Sequence, residues 1–148
     1  MTNPHKKYFL RRIIAGIIDY LIIFLCTCIY AILMGEQDFS GGYHLGTLKS
    51  MGVIGIWGIF TIGIEQLHGR TLGNSLMELR PRSVSGLSDD LFFGQSLKRH
   101  LLDPVDMWFF GLVGMIIIAT SEKHQRLGDM WAQTIVESTN KKDKSDFQ

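Results

Sequence analysis

The chain has 148 residues, is 46% hydrophobic and 20% charged, and carries a formal net charge of only +1. That length predicts one domain, and the near-neutral balance leaves no global field to attract nucleic acid. The apolar residues gather in long blocks instead of the short periods of a soluble core, which excludes an ordinary water-soluble domain and predicts an all-α membrane protein.

The first block, Ile13 to Met34, runs for 22 residues with Asp19 as its one charge, behind a basic start of Lys6, Lys7, Arg11 and Arg12. About 20 apolar residues cross the hydrocarbon, so this is a span. It is too long for a signal-peptide core and contains a carboxylate, so it is expected to stay uncleaved. Arg12 and Asp19 are about two helical turns apart and share a face. A carboxylate at this depth costs roughly 2.5–3.5 kcal/mol on insertion scales and must face a partner or a polar cavity. It is either a functional site or a polar clasp between helices. Cys26 and Cys28, two positions apart, point in different directions and are expected to pack. The turn-rich residues 35–42 form a loop.

Met51 to Leu67 is a second span, about 25 Å long as a helix. Gly52, Gly55, Gly58 and Gly63 are expected to let another helix approach. Glu65 is expected at the membrane interface, with Asp19 or Arg12 across the bundle as the alternative partner. Leu72 to Leu79 reads as a short helix that Pro81 stops, after Thr71 as N-cap. Residues 83–88 are turn-like. Leu91 to Leu102 places apolar residues beside Lys98, Arg99 and His100, which suits an amphipathic helix at the membrane surface. Val105 to Thr120 is a third, short apolar segment behind Asp103, Pro104 and Asp106. Asp106 suits a first helical turn on dipole grounds alone. The domain is expected over residues 1–137, with 138–148 a polar, disordered tail.

Topology is contradictory. The basic start and a single Lys49 in the first connection put the N-terminus in the cytoplasm, and the five Lys/Arg from Arg70 to Arg99 bring the chain back there. A third complete span would then export a tail rich in lysine. Either the third segment is re-entrant, or the helix before Pro104 enters the membrane to make a hairpin.

Four charged motifs follow one another: Arg12 with Ala15 and Asp19; Gly69-Arg-Thr71-Leu-Gly73; Arg99 to Asp103; and Arg126-Leu-Gly128-Asp129 to Thr134. In this order the chain resembles the RDD family of small bacterial membrane proteins. Two positions depart from the family pattern, Asn74 for a basic residue and Gln133 for a small one, and Asn74 weakens any anion-binding role of its turn. The resemblance implies an inner-membrane, multi-pass, transport-related protein, with cation/proton exchange the most concrete activity.

The candidate functional network is therefore Arg12, Asp19, Glu65, Arg99, Asp103, Arg126 and Asp129, with turns at Gly69, Thr71, Gly73 and Gly128. Asp19 is the expected titrating group, with Arg12 tuning it. The partners are the bilayer, a cation or proton, and further copies of this chain, since three segments are few for a transporter. The alternative is a scaffold or assembly factor whose Arg/Asp set is a structural ion-pair network. No enzyme is expected: the five histidines show no metal-ligand spacing and no nucleophile motif occurs. Neither a metal nor a cofactor is expected.

Overall fold

A computed structural model describes residues 4–85, 91–106, 108–121 and 125–140. Residues 86–88 of the turn-like stretch, the basic Lys123, Lys141, Lys142 and Lys144, and the tail from 141 onward lie outside the described residues. Helix α1 covers Pro4–Met34. A small hairpin, β1 (Glu36–Gln37) with β2 (Tyr43–His44), tops the first connection. Helix α2 (Thr47–Gly58) runs through a π-helical turn at Ile59–Gly63 into α3 (Ile64–His68), and Gly69 at φ 71° ends it. Phe9–Met34 and Thr47–His68 are each long and apolar enough to cross a membrane.

Helix α4 (Leu72–Leu76) stops before Glu78, which is left-handed at φ 55°, rather than at Pro81. Pro81 sits instead in β3 (Leu79–Ser83). Helices α5 (Phe93–Leu101) and α6 (Asp103–Asp106) are followed by α7 (Trp108–Thr120), and the two arms of this pair, 93–106 and 111–120, are bent by 113°. Gly111 at φ 84° makes part of this reversal, which a side chain would oppose. Helix α8 (Leu127–Ala132) leads through Gln133 at φ 53° into β4 (Thr134–Ser138). The folded chain runs past the expected boundary at 137, because Asn140 Nδ2 donates to Glu78 Oε2 at 2.8 Å.

Strands β3 and β4 pair antiparallel, with Leu79 opposite Ser138 and Ser83 opposite Thr134. The helical expectation holds, but it missed this sheet. The pairing brings together the ends of the segment that follows the second span and precedes β4, and within it the arms 93–106 and 111–120 are bent by 113°, as a broken span or a re-entrant loop would be.

The two halves also match each other. Thr71 and Arg126 are the N-caps of α4 and α8; Gly73 and Gly128 follow; Glu78 and Gln133 are the two left-handed non-glycine residues among those described; and Pro81 pairs with Val136 at the centre of the sheet. Each of these pairs is 55 positions apart (71 to 126, 73 to 128, 78 to 133, 81 to 136). A Cβ on Gly73 would lie 2.0 Å from the Ala15 carbonyl of α1, and one on Gly128 would lie 2.2 Å from the Arg99 carbonyl of α5. Short helix, left-handed exit and strand thus recur in the same relation to a long helix, about a pseudo-two-fold axis through the sheet.

Candidate functional site

Charge is concentrated where the two halves meet. Glu65, Arg99, His100, Asp103, Asp106 and Asp129 are each at most 4% exposed. Burying this many charges is tolerable only when they are paired. Helix α5 is amphipathic as expected but inverted: Ser96, Arg99 and His100 are its buried face, whereas Phe93 and Leu101 are exposed. Its polar side faces protein, so it is not a helix resting its polar side in water.

Five of these side chains, all but Asp106, close a ring of alternating charge together with Arg126. Asp129 Oδ1 accepts from Arg99 Nε at 2.9 Å, and Arg99 Nη1 donates to Glu65 Oε1. Glu65 Oε2 is 2.6 Å from His100 Nε2, and His100 Nδ1 is 2.8 Å from Asp103 Oδ2. Asp103 Oδ1 is 2.9 Å from Arg126 Nη1, and Arg126 Nε returns to Asp129 at 3.7 Å. Arg12 joins from α1 by donating to Asp129 Oδ2. Both ring nitrogens of His100 face ionised carboxylates, and such oxygens only accept, so the imidazole is held as an imidazolium. The π-helical turn contributes by resetting the face of the second span: Thr61 and Glu65 are both buried although the surrounding helix faces outward.

Electrostatics follow from this packing. Burial opposes ionisation of Asp129, but the guanidiniums of Arg12, Arg99 and Arg126 outweigh it and hold its carboxyl well below the usual range. Burial likewise opposes the charge on Arg126, and Asp103, Asp129 and Asp106 more than reverse it.

Asp19 is not Arg12's partner. Thr71 Oγ1 donates to its Oδ2 and the Gly73 N–H to its Oδ1, both at 2.6 Å. Thr71 also caps α4 by accepting from the Asn74 N–H. Asp106 does the same for α8: its Oδ1 and Oδ2 accept from the N–H groups of Leu127 and Gly128 at 3.3 Å. In each half a carboxylate, Asp19 of α1 and Asp106 of α6, thus holds the N-terminus of a short helix, a position that the helix dipole favours. Neither Asp19 nor Asp106 has a cationic side chain within ion-pair distance among the described residues.

Both carboxylates border a cavity of about 800 Å³ between α1 and α7. Its floor includes Arg12, Asp19, His100, Asp103, Asp106 and Arg126, and its walls are apolar, among them Ile17, Leu21, Phe24, Met115 and Ile118. Gly114 lies so close to the Asp106 carbonyl, 2.9 Å from where a Cβ would be, that it fixes α7 against α6.

Of the residues expected to act together, Arg12, Glu65, Arg99, Asp103, Arg126 and Asp129 do meet, while Asp19 stands apart as a cap. Glu65 is inside the ring, not at the interface. Sequence reading missed His100 and Asp106. His100 has no metal-ligand spacing to mark it, yet it lies three residues before Asp103, within reach on a helix. Asp106 suits the dipole of its own helix by sequence, whereas in the structure it serves that of α8. Among the described residues no group of three His, Cys, Asp or Glu could hold a metal ion. Gly52 packs on the Tyr30 ring, but a Cβ on Gly55 or Gly58 would meet no atom of the described residues within 4 Å.

Comparison with curated proteins and with solved structures finds no match. The RDD family, in contrast, matches residues 8–133, a stretch that includes the whole ring, both capping carboxylates and both glycine contacts. With two spanning helices and that match over most of its length, this integral membrane protein belongs to the RDD family.

Proposed function

We propose that the protein is transport-related and that its working site is the cavity between α1 and α7, where Asp19 and Asp106 take a cation or a proton in turn. The observation that carries this reading is the division of the charges. Three carboxylates are spent in a closed ring with Arg99, His100 and Arg126, while two have no cationic partner among the described residues and border the cavity. Intramembrane carboxylates that lack a fixed counter-ion serve ion and proton pathways. The position of the cavity also supports the reading, since transporters built from repeats bind substrate where the repeats meet. The site is read as one for binding and passage, without catalysis.

The ring holds the halves together, so the scaffold reading describes Arg12, Glu65, Arg99 and Asp129 well and leaves the cavity unexplained. We further propose the bacterial inner membrane as location, with the N-terminus and the β3–β4 sheet in the cytoplasm as the distribution of Lys and Arg favours, and a homo-oligomer as the working form. The experiment is sodium- and potassium-driven proton movement in proteoliposomes. Flux in wild type that Asp106→Asn abolishes at unchanged elution volume is expected. A well-folded wild type without flux across cations and pH would leave the scaffold as the function.

A further inference from the structure

The cavity is more specific than a cation site needs to be. Its lining carries Asp19 and Asp106, neither of which has a cationic side chain within ion-pair distance among the described residues. Asp103, beside them, is 1% exposed and is held by His100 and Arg126 at 2.8 and 2.9 Å. Asp19 and Asp106 by contrast accept only from the Thr71 hydroxyl and from backbone N–H groups, so their remaining lone pairs are open to a cation that brings N–H donors.

The site is short of positive charge. With Asp19 and Asp106 both ionised, Arg12, Arg99, Arg126 and the imidazolium of His100 face Glu65, Asp129, Asp103, Asp19 and Asp106, four positive charges against five negative ones. One monovalent cation balances the site. Above this floor the walls are hydrocarbon, and along α1 from Ile17 to Phe24 they extend for roughly 10 Å. Ile17, Leu21 and Phe24 are each more than half exposed, so this wall is continuous with the outer face of α1 and open to entry from the side. An alkali ion would leave the walls unused, and a quaternary ammonium would bring no N–H to Asp19 or Asp106.

We propose that the cavity binds a protonated amine carrying an apolar body, with its ammonium on Asp19 and Asp106 and its body between α1 and α7. This rests on the transport reading for its biological role, though not for the binding itself. Two sources supply such a group: a free lipophilic amine, or the ammonium of an aminophospholipid.

The test is calorimetric titration of the full chain in nanodiscs of phosphatidylglycerol and phosphatidylcholine, against empty nanodiscs, with octylamine, octanol, octanoate and methylammonium. Octylamine is expected to bind at least tenfold more tightly than the other three. Equal binding of octanol would overturn the role of the carboxylates, equal binding of methylammonium that of the walls, and preference for octanoate the sign of the site. Asp106→Asn should weaken octylamine at least tenfold; because it may also loosen α8, the comparison among ligands on wild type stands independently. Repeating the titration with phosphatidylethanolamine in the disc separates the sources: loss of octylamine binding identifies the lipid headgroup, and unchanged binding a free amine. Amine binding without any flux would end the transport reading alone, whereas sodium/proton exchange without amine binding would end this proposal alone.

Discussion

Replacing Gly128 by alanine tests the junction of α8 with α5. The added Cβ would stand 2.2 Å from the Arg99 carbonyl oxygen, 3.0 Å from its carbon and 3.1 Å from its Cα. All three are backbone atoms of a helix, so no side chain can turn aside and α8 must move away by about 1 Å. Overpacking of this kind costs about 1–3 kcal/mol. The same movement stretches the two 3.3 Å bonds from Leu127 and Gly128 to Asp106, and a hydrogen bond to a charged group is worth about 1.5–3 kcal/mol. Losing one of them brings the total to about 3–5 kcal/mol, or some 6–20 °C in Tm at 2–4 °C per kcal/mol for a chain of this size. Gly73→Ala should cost as much, because its Cβ would meet the Ala15 carbonyl at 2.0 Å. Gly55→Ala and Gly58→Ala face open space and should be neutral or slightly stabilising, as alanine is the better helix former by about 1 kcal/mol. Heating in detergent followed by size-exclusion chromatography reads all four. Gly73→Ala or Gly128→Ala within 1 °C of wild type would refute the close contacts and, with them, the equivalence of the two halves.

Asp129→Asn removes the negative charge shared by Arg12, Arg99 and Arg126 and puts an amide NH2 in place of one accepting oxygen, and at about 3–5 kcal/mol for one lost member of a buried pair it should sharply lower folded yield, read as the monodisperse fraction after extraction. Thr71→Ala should cost about 1 kcal/mol through the lost cap, a shift of a few degrees in the same heating assay, and leave the ring intact. Acid should reveal Asp129 as well. Its folded pKa is depressed, so its stabilisation is complete above the unfolded value near 3.9 and is lost as pH falls through the folded one. This contribution to wild-type Tm should be flat between pH 7 and 5 and decline below about pH 4, while Asp129→Asn shows less decline there.

The spans and the charged set were legible because they follow from local rules: run length against bilayer thickness, and the cost of charge in hydrocarbon. The partners were not. Arg12 and Asp19 share a helical face, which suggested a pair, but each is taken by an element more than fifty residues away, Asp129 and Thr71 respectively. Strand β3 was hidden because Leu79-Arg-Pro-Arg-Ser83 alternates weakly and contains a proline, which a two-stranded edge tolerates. The duplication was hidden because its halves share few residue types. Leu and Gly recur at 72–73 and 127–128, whereas the left-handed exits are Glu78 and Gln133, two residues that mark no such conformation in sequence.

The unequal halves account for the cavity. In the first half α1 continues 15 residues beyond Asp19 to Met34 as an unbroken helix, and α2 with α3 returns beside it. In the second half the corresponding helix ends at Asp106, and α7 turns back across it at 113°. A strict two-fold copy of α1 would fill the space beyond Asp106 with helix. Its absence leaves α1 facing the short α7 across a gap whose floor is set by the charged ring and whose walls are apolar. Filling that gap from α7, with Ile118→Trp, should therefore displace any bound amphiphile while leaving the ring and both helix caps in place, and a variant that keeps wild-type octylamine affinity would show that the gap between α1 and α7 is not the binding site.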